Sequence, residues 1–96
     1  MTATEHEIFV NVPVQNVWAT LTDPAHRQRW YGAGELTVEV EEPMRTFAFR
    51  SGSGLVGFTL QIGPGGTRVL LRETERSPRD WDAALAEISE VAQSLS

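Results

Sequence analysis

An α+β fold is predicted: a curved antiparallel sheet of about five strands wrapped on one long C-terminal helix, in the order β-α-α-β-β-β-β-α. Three observations predict it. The stretch SPRDWDAALAEISEVAQSL, residues 77–95, carries apolar residues at spacings of three and four, which gather on one helical stripe. Residues 35–74 alternate with period two instead, in four runs separated by Pro- and Gly-containing turns. Ahead of those runs, Pro13 and Pro24 each open a short helix, because proline at the first helical position sacrifices no hydrogen bond.

The chain begins with residues 5–12, EHEIFVNV, a strand of β-branched and aromatic residues. Pro13 ends it, and Val14, Val17, Trp18 and Leu21 follow at helical spacing. Asp23 caps the second short helix, which runs from Pro24 to about Tyr31 and is ended by Gly32 and Gly34. In ELTVEVEE, 35–42, Leu36, Val38 and Val40 point one way and Glu35, Thr37, Glu39 and Glu41 the other. Pro43 separates this strand from MRTFAFR, 44–50, with Phe47 and Phe49 on one face. After the turn SGSG comes LVGFTLQI, 55–62, which places Val56, Phe58, Leu60 and Ile62 together, with Gly57 as a bend or bulge. The turn Gly63-Pro64-Gly65-Gly66 leads to TRVLLRET, 67–74, where Leu70 interrupts the alternation. Short turns make these four strands antiparallel hairpins, with one face to solvent and the other to the long helix.

For that last helix, Ser77 is the expected N-cap, Pro78 the first helical residue and Asp80 a charge favoured at the positive helix end. Trp81, Ala84, Leu85, Ile88, Val91, Ala92 and Leu95 form the stripe; Asp82, Glu87, Glu90 and Gln93 lie off it. The helix would be about 27 Å long, against about 23 Å for a seven-residue strand. One helix would then cover the sheet from edge to edge.

With 96 residues the chain is read as a single domain, residues 1–96. It contains no cysteine, which excludes disulfides and thiolate metal sites and favours the cytoplasm. No apolar run approaches the ~18 residues of a membrane helix, and MTATEHE is no signal peptide. The formal charge is −5, and the eight basic residues are all arginines, scattered along the chain. Nucleic acid calls for a clustered basic face, so that partner is not expected. The two histidines, His6 and His26, lack metal-ligand company, and no cofactor is implied. There is no nucleophile elbow, phosphate loop or catalytic carboxylate pair.

The run IFVNVPVQNVWATLTDPAHRQRWYG, through Pro13, Val17, Trp18, Leu21, Thr22, Asp23, Pro24 and Trp30, resembles the opening of the SRPBCC or START-like superfamily, the helix-grip fold. It is most similar to the branch of heat-shock ATPase activator homologues and polyketide cyclase-like proteins. VEEPMRTFAF, GGTRVLLRETE and the helix near Trp81 agree in type, so the resemblance covers nearly the whole chain. Members of that branch usually carry a further hairpin before the strand at 35–42. Here Tyr31-Gly32-Ala33-Gly34 leads straight into it, so about five strands are expected instead of six or seven. The resemblance implies an apolar ligand held between sheet and long helix, with one wall shortened.

Energetics restrict such a cavity. An empty apolar volume of about 300 Å³ at about 24 cal/mol per Å³ costs about 7 kcal/mol, against a net stability of about 5–15 kcal/mol. A small cleft, a collapsed core or a second chain completing the wall is expected. The strand edge left open by the shortened sheet is a candidate homodimer contact.

The candidate ligand-binding residues are Trp18, Trp30, Tyr31, Phe47, Phe49, Phe58, Leu71, Glu73, Trp81 and Leu85. Their ordinary role is core packing; their functional role is to line a cleft for a flat apolar molecule. Trp30 and Tyr31 lead the set because the short helix ends beside the expected mouth. Glu73 continues the face of Val69 and Leu71, and an inward carboxylate in an apolar site is a candidate general base. Its alternative is a strand-end ion pair with Arg45 or Arg50. Three functions follow: a binding domain for an apolar or aromatic small molecule without turnover; a cyclase- or dehydratase-like enzyme using Glu73 or His26; and a protein-interaction module, as the chaperone-activator resemblance implies.

Overall fold

A computed structural model describes residues 4–32, 36–51, 54–75 and 80–95. Its elements are β1 (Thr4–Val10), α1 (Val14–Thr22), α2 (Pro24–Trp30), β2 (Thr37–Glu42), β3 (Thr46–Ser51), β4 (Gly54–Gly63), β5 (Gly66–Glu73) and α3 (Trp81–Ser94). The five strands form one antiparallel sheet in the order β1-β5-β4-β3-β2. This is the predicted α+β architecture and element order.

Local chemistry accounts for the boundaries. Pro13 has extended backbone at the N-cap of α1 and stops β1 from continuing. Asp23 accepts a hydrogen bond from the Ala25 N–H at 2.9 Å, with Pro24 at the start of α2. Gly32, at φ +103°, lets the chain leave α2 in a conformation an L side chain resists. Gly63 pairs with Gly66 across Pro64-Gly65, and Gly65 at φ +79° suits the third position of a type II turn.

Three expectations are corrected. The N-cap of α3 is Asp80, whose carboxylate accepts from the Ala83 N–H at 3.1 Å. Aspartate caps as well as serine does, and Asp80 stands directly before the first apolar residue of the stripe. Ser77 and Pro78 lie outside the described residues. The helix therefore has 14 residues, about 21 Å, and it does not cover the sheet alone. It shares that task with α1, which packs on α3, β4 and β5, while α3 packs on β1. Second, Gly57 marks no bulge: β4 pairs through it without interruption, to Ala48 and Arg72. Third, the irregularity lies in β2, between Val38 and Val40. Val38 is opposite Phe49 on the inner face, whereas Val40 is opposite Ala48 on the outer face, so the two valines do not share a side.

The core lies between the inner face of the sheet and the three helices. Val10, Val17, Leu21, Phe49, Phe58, Val69, Ile88 and Ala92 are fully buried. Ile62, predicted to join Val56, Phe58 and Leu60, is 77% exposed. It stands near the β4–β5 turn, beside an open groove that it shares with Val12, Pro13 and Val14.

Candidate functional site

One end of the molecule collects the candidate residues. β5 ends there at Glu73, β4 begins at Gly54, α2 ends at Trp30 and α3 begins at Trp81. The connections 33–35, 52–53 and 76–79 leave and enter these elements and lie outside the described residues.

At this end the aromatic side chains touch in sequence. Trp30 meets Phe58 edge to face with ring centroids 5.4 Å apart, and Tyr31 meets Phe49 likewise at 5.3 Å. Phe49 stacks on Phe58, and Phe58 and Trp81 meet edge to face at 6.3 Å. Edge-to-face rings place positive edges on negative faces, which fixes orientation as well as burying area. The Trp30 indole N–H is satisfied by the Thr20 carbonyl at 2.8 Å. Sequence reading missed that bond, which ties α2 to α1 and sets the angle of the indole. Phe47, Leu71 and Leu85 are buried behind this group, and Trp18, half-buried, meets Phe47 at 6.1 Å. The set named from the sequence thus converges on one core, with Trp18 and Tyr31 on its margin.

Glu73 is the polar member. Its alternation with Val69 and Leu71 turns it inward, and it is 2% exposed. Its Oε1 accepts from the Thr4 hydroxyl at 2.7 Å. Thr4 sits directly opposite Glu73 in the β1–β5 ladder. Thr4 lies one residue before the predicted strand, and the register of β1 with β5 is not written in either segment alone. The alternative arginines are elsewhere: Arg50 faces outward and binds Glu39 at 2.7 Å, and Arg45 is exposed in the β2–β3 turn. His26 is not part of the constellation; its Nε2 lies 3.9 Å from Asp23 on α2's surface. Glu75 is exposed.

A groove of about 350 Å³ opens beside this end between α2 and α3, lined by Arg29, Trp30, Asp80, Ala83, Ala84 and Glu87. Arg29 and Glu87 form an ion pair across it at 2.7 Å. A second groove, about 370 Å³, lies over β1 and β5, where Glu5, Glu7, Leu70 and Arg72 stand. Among the described residues no group of three or more His, Cys, Asp or Glu could hold a metal ion, and no helix is long and apolar enough to cross a membrane.

No family model and no curated protein matches the sequence. Solved structures do. The AHSA1-like protein from Aeromonas hydrophila matches with a TM-score of 0.82 at 14% identity, over 98% of this chain and 94% of that one. CalU16 from Micromonospora echinospora gives 0.76 at 19% identity, over 94% and 75%. The Aha1 dimer from Colwellia psychrerythraea gives 0.69 at 14%, over 99% and 93%. At such identities the likeness is one of fold: an antiparallel sheet gripping a C-terminal helix.

Proposed function

We propose that this helix-grip chain is a small binding domain for an apolar or aromatic small molecule, received between the sheet and α3 at the end where Glu73 stands. The observation that supports this reading is the burial of Glu73 beside an aromatic cluster. Desolvating a carboxylate costs several kcal/mol, whereas apolar side chains of similar volume commonly replace buried ions at no loss. A core that only had to pack would not need the carboxylate. A site that had to orient a ligand would, because a few placed polar groups in an apolar pocket set direction and specificity. In this reading Glu73 accepts a hydroxyl or N–H of the ligand, and the rings of Trp30, Tyr31, Phe49 and Trp81 supply the apolar walls.

The described rings pack on one another, so a ligand enters by moving them. That opening lowers the apparent affinity by the fraction of open molecules. Arg29 and Glu87 join the two helices that flank the entry, and an exposed pair of this kind holds them by no more than about 1 kcal/mol. The partner is a small molecule, and turnover is not required. A cyclase- or dehydratase-like reading draws on the same carboxylate as a base; His26, away from the cluster, does not serve it.

The test is a thermal-shift panel of fused-ring and long-chain metabolites against the wild type and Glu73→Gln. A ligand at 100 times its Kd adds about 2.7 kcal/mol, which raises the Tm of a domain this size by roughly 10–20 °C. Expected is a clear shift for at least one compound, diminished in Glu73→Gln. Absence of any shift across the panel rejects the reading. Consumption of the shifting compound would move the assignment to the enzyme.

A further inference from the structure

We infer that the free edge of β2 is a self-complementary surface, through which two copies of this chain join their sheets in antiparallel fashion with Val38 opposite Glu41 of the other copy. Among the described residues β2 ends the sheet, and all six of its residues are exposed. The bulge between Val38 and Val40 sets which way each one points. Thr37, Val40 and Glu42 pair with the outward residues Arg50, Ala48 and Thr46; Val38 and Glu41 pair with the inward Phe49 and Phe47. Glu39 reaches Arg50 on the outer side. From Thr37 to Glu42 the facing pattern is therefore out, in, out, out, in, out, the same in both directions. A regular strand of six alternates without that symmetry, since its two ends point opposite ways.

Two such strands meeting about a twofold axis must place residues of like facing opposite each other. Registers that satisfy this over only three residues exist at either end of the strand. One satisfies it over all six: Thr37 with Glu42, Val38 with Glu41 and Glu39 with Val40, each pair occurring twice. It opposes no glutamate to another, although half of the strand is glutamate. Shifting it forward by one to four places sets at least one glutamate opposite another or mismatches the faces. Carboxylates usually protect an edge against pairing; here the one register that pairs all six residues escapes that protection. The interface is short, which places it among weak, concentration-dependent contacts. Each chain carries a formal charge of −5, so added salt strengthens the association by screening.

Sedimentation of the full chain over a wide concentration range, at low and high salt, tests this. Expected is a monomer–dimer equilibrium tightened by salt. Val38→Lys sets two lysine–glutamate pairs across the join and tightens the dimer about threefold or more. Gln15→Lys, the same charge change on α1, has a smaller effect. Val38→Glu loosens it. The chain contains no cysteine, so Val38→Cys with Glu41→Cys reports position directly, oxidising to a covalent dimer that Val38→Cys alone does not form. Val38 is 41% exposed, and circular dichroism checks that the variants fold. A monomer at every concentration overturns the inference. So does a dimer on which Val38→Lys and Gln15→Lys act alike, or one that the single cysteine cross-links as well as the pair.

Discussion

Gly66 has no room for a side chain. A Cβ placed there would collide with the Val10 carbonyl oxygen and stand 3.0 Å from both Asn11 Cα and the Phe9 ring. Two of those atoms belong to backbone, which cannot swing aside. Gly66→Ala is expected to cost about 2–4 kcal/mol, read as a fall in Tm. Gly57 provides the contrast. A Cβ there would meet only Ala48 Cβ, at 3.8 Å, an ordinary contact. Because glycine weakens a strand interior, Gly57→Ala is expected to be neutral or to stabilise by up to about 1 kcal/mol. The same melting experiment compares the two. Trp30 belongs to this scale as well. Trp30→Phe preserves most of the ring packing but strands the Thr20 carbonyl, a loss of about 1–3 kcal/mol if water cannot reach it.

At the scale of elements, α3 gives the sharpest test of where a helix begins. Asp80→Ala removes the observed cap and is expected to destabilise by about 1 kcal/mol, whereas Ser77→Ala is expected to leave the denaturant midpoint unchanged. The comparison also shows what a linear sequence discloses. The period-two runs disclosed all four later strands, and Asp23-Pro24 disclosed the start of α2, because those signals lie within a few residues. Cap choice at α3 was ambiguous because Ser77 and Asp80 both satisfy the same local chemistry. The β2 bulge was invisible: TVEVE alternates without fault across it, and only its pairing with β3 turns Val40 outward. The inward turn of Glu73 was legible from Val69 and Leu71, while its contact with Thr4 needed the register of a strand 69 positions away. Convergence of Trp30, Tyr31, Phe49, Phe58 and Trp81 was foreseeable as a list of aromatics but not as a sequence of ring contacts.

For the whole molecule, binding and stability separate at one residue. Glu73 is buried and accepts from Thr4, so Glu73→Leu, which loses that bond together with the carboxylate's desolvation cost, is expected to change the Tm little while weakening ligand. Glu73→Ala, which leaves space as well, is expected to lower the Tm by an amount corresponding to about 2 kcal/mol or more. Calorimetry with and without ligand separates the two effects. The sheet order adds a constraint in time. β2 to β5 form neighbouring hairpins, but β1 pairs with β5, and Thr4 meets Glu73 across 69 positions. At about 5–20 residues per second of synthesis, the first strand waits on the order of 3–14 s for its partner to emerge. Its closure is a long-loop step, entered after the local hairpins have formed. Ile8→Ala in β1 is therefore expected to speed unfolding and leave the folding rate nearly unchanged in stopped-flow measurements. The hydroxyl that holds the buried carboxylate is made well before its partner and is among the last groups to find its place.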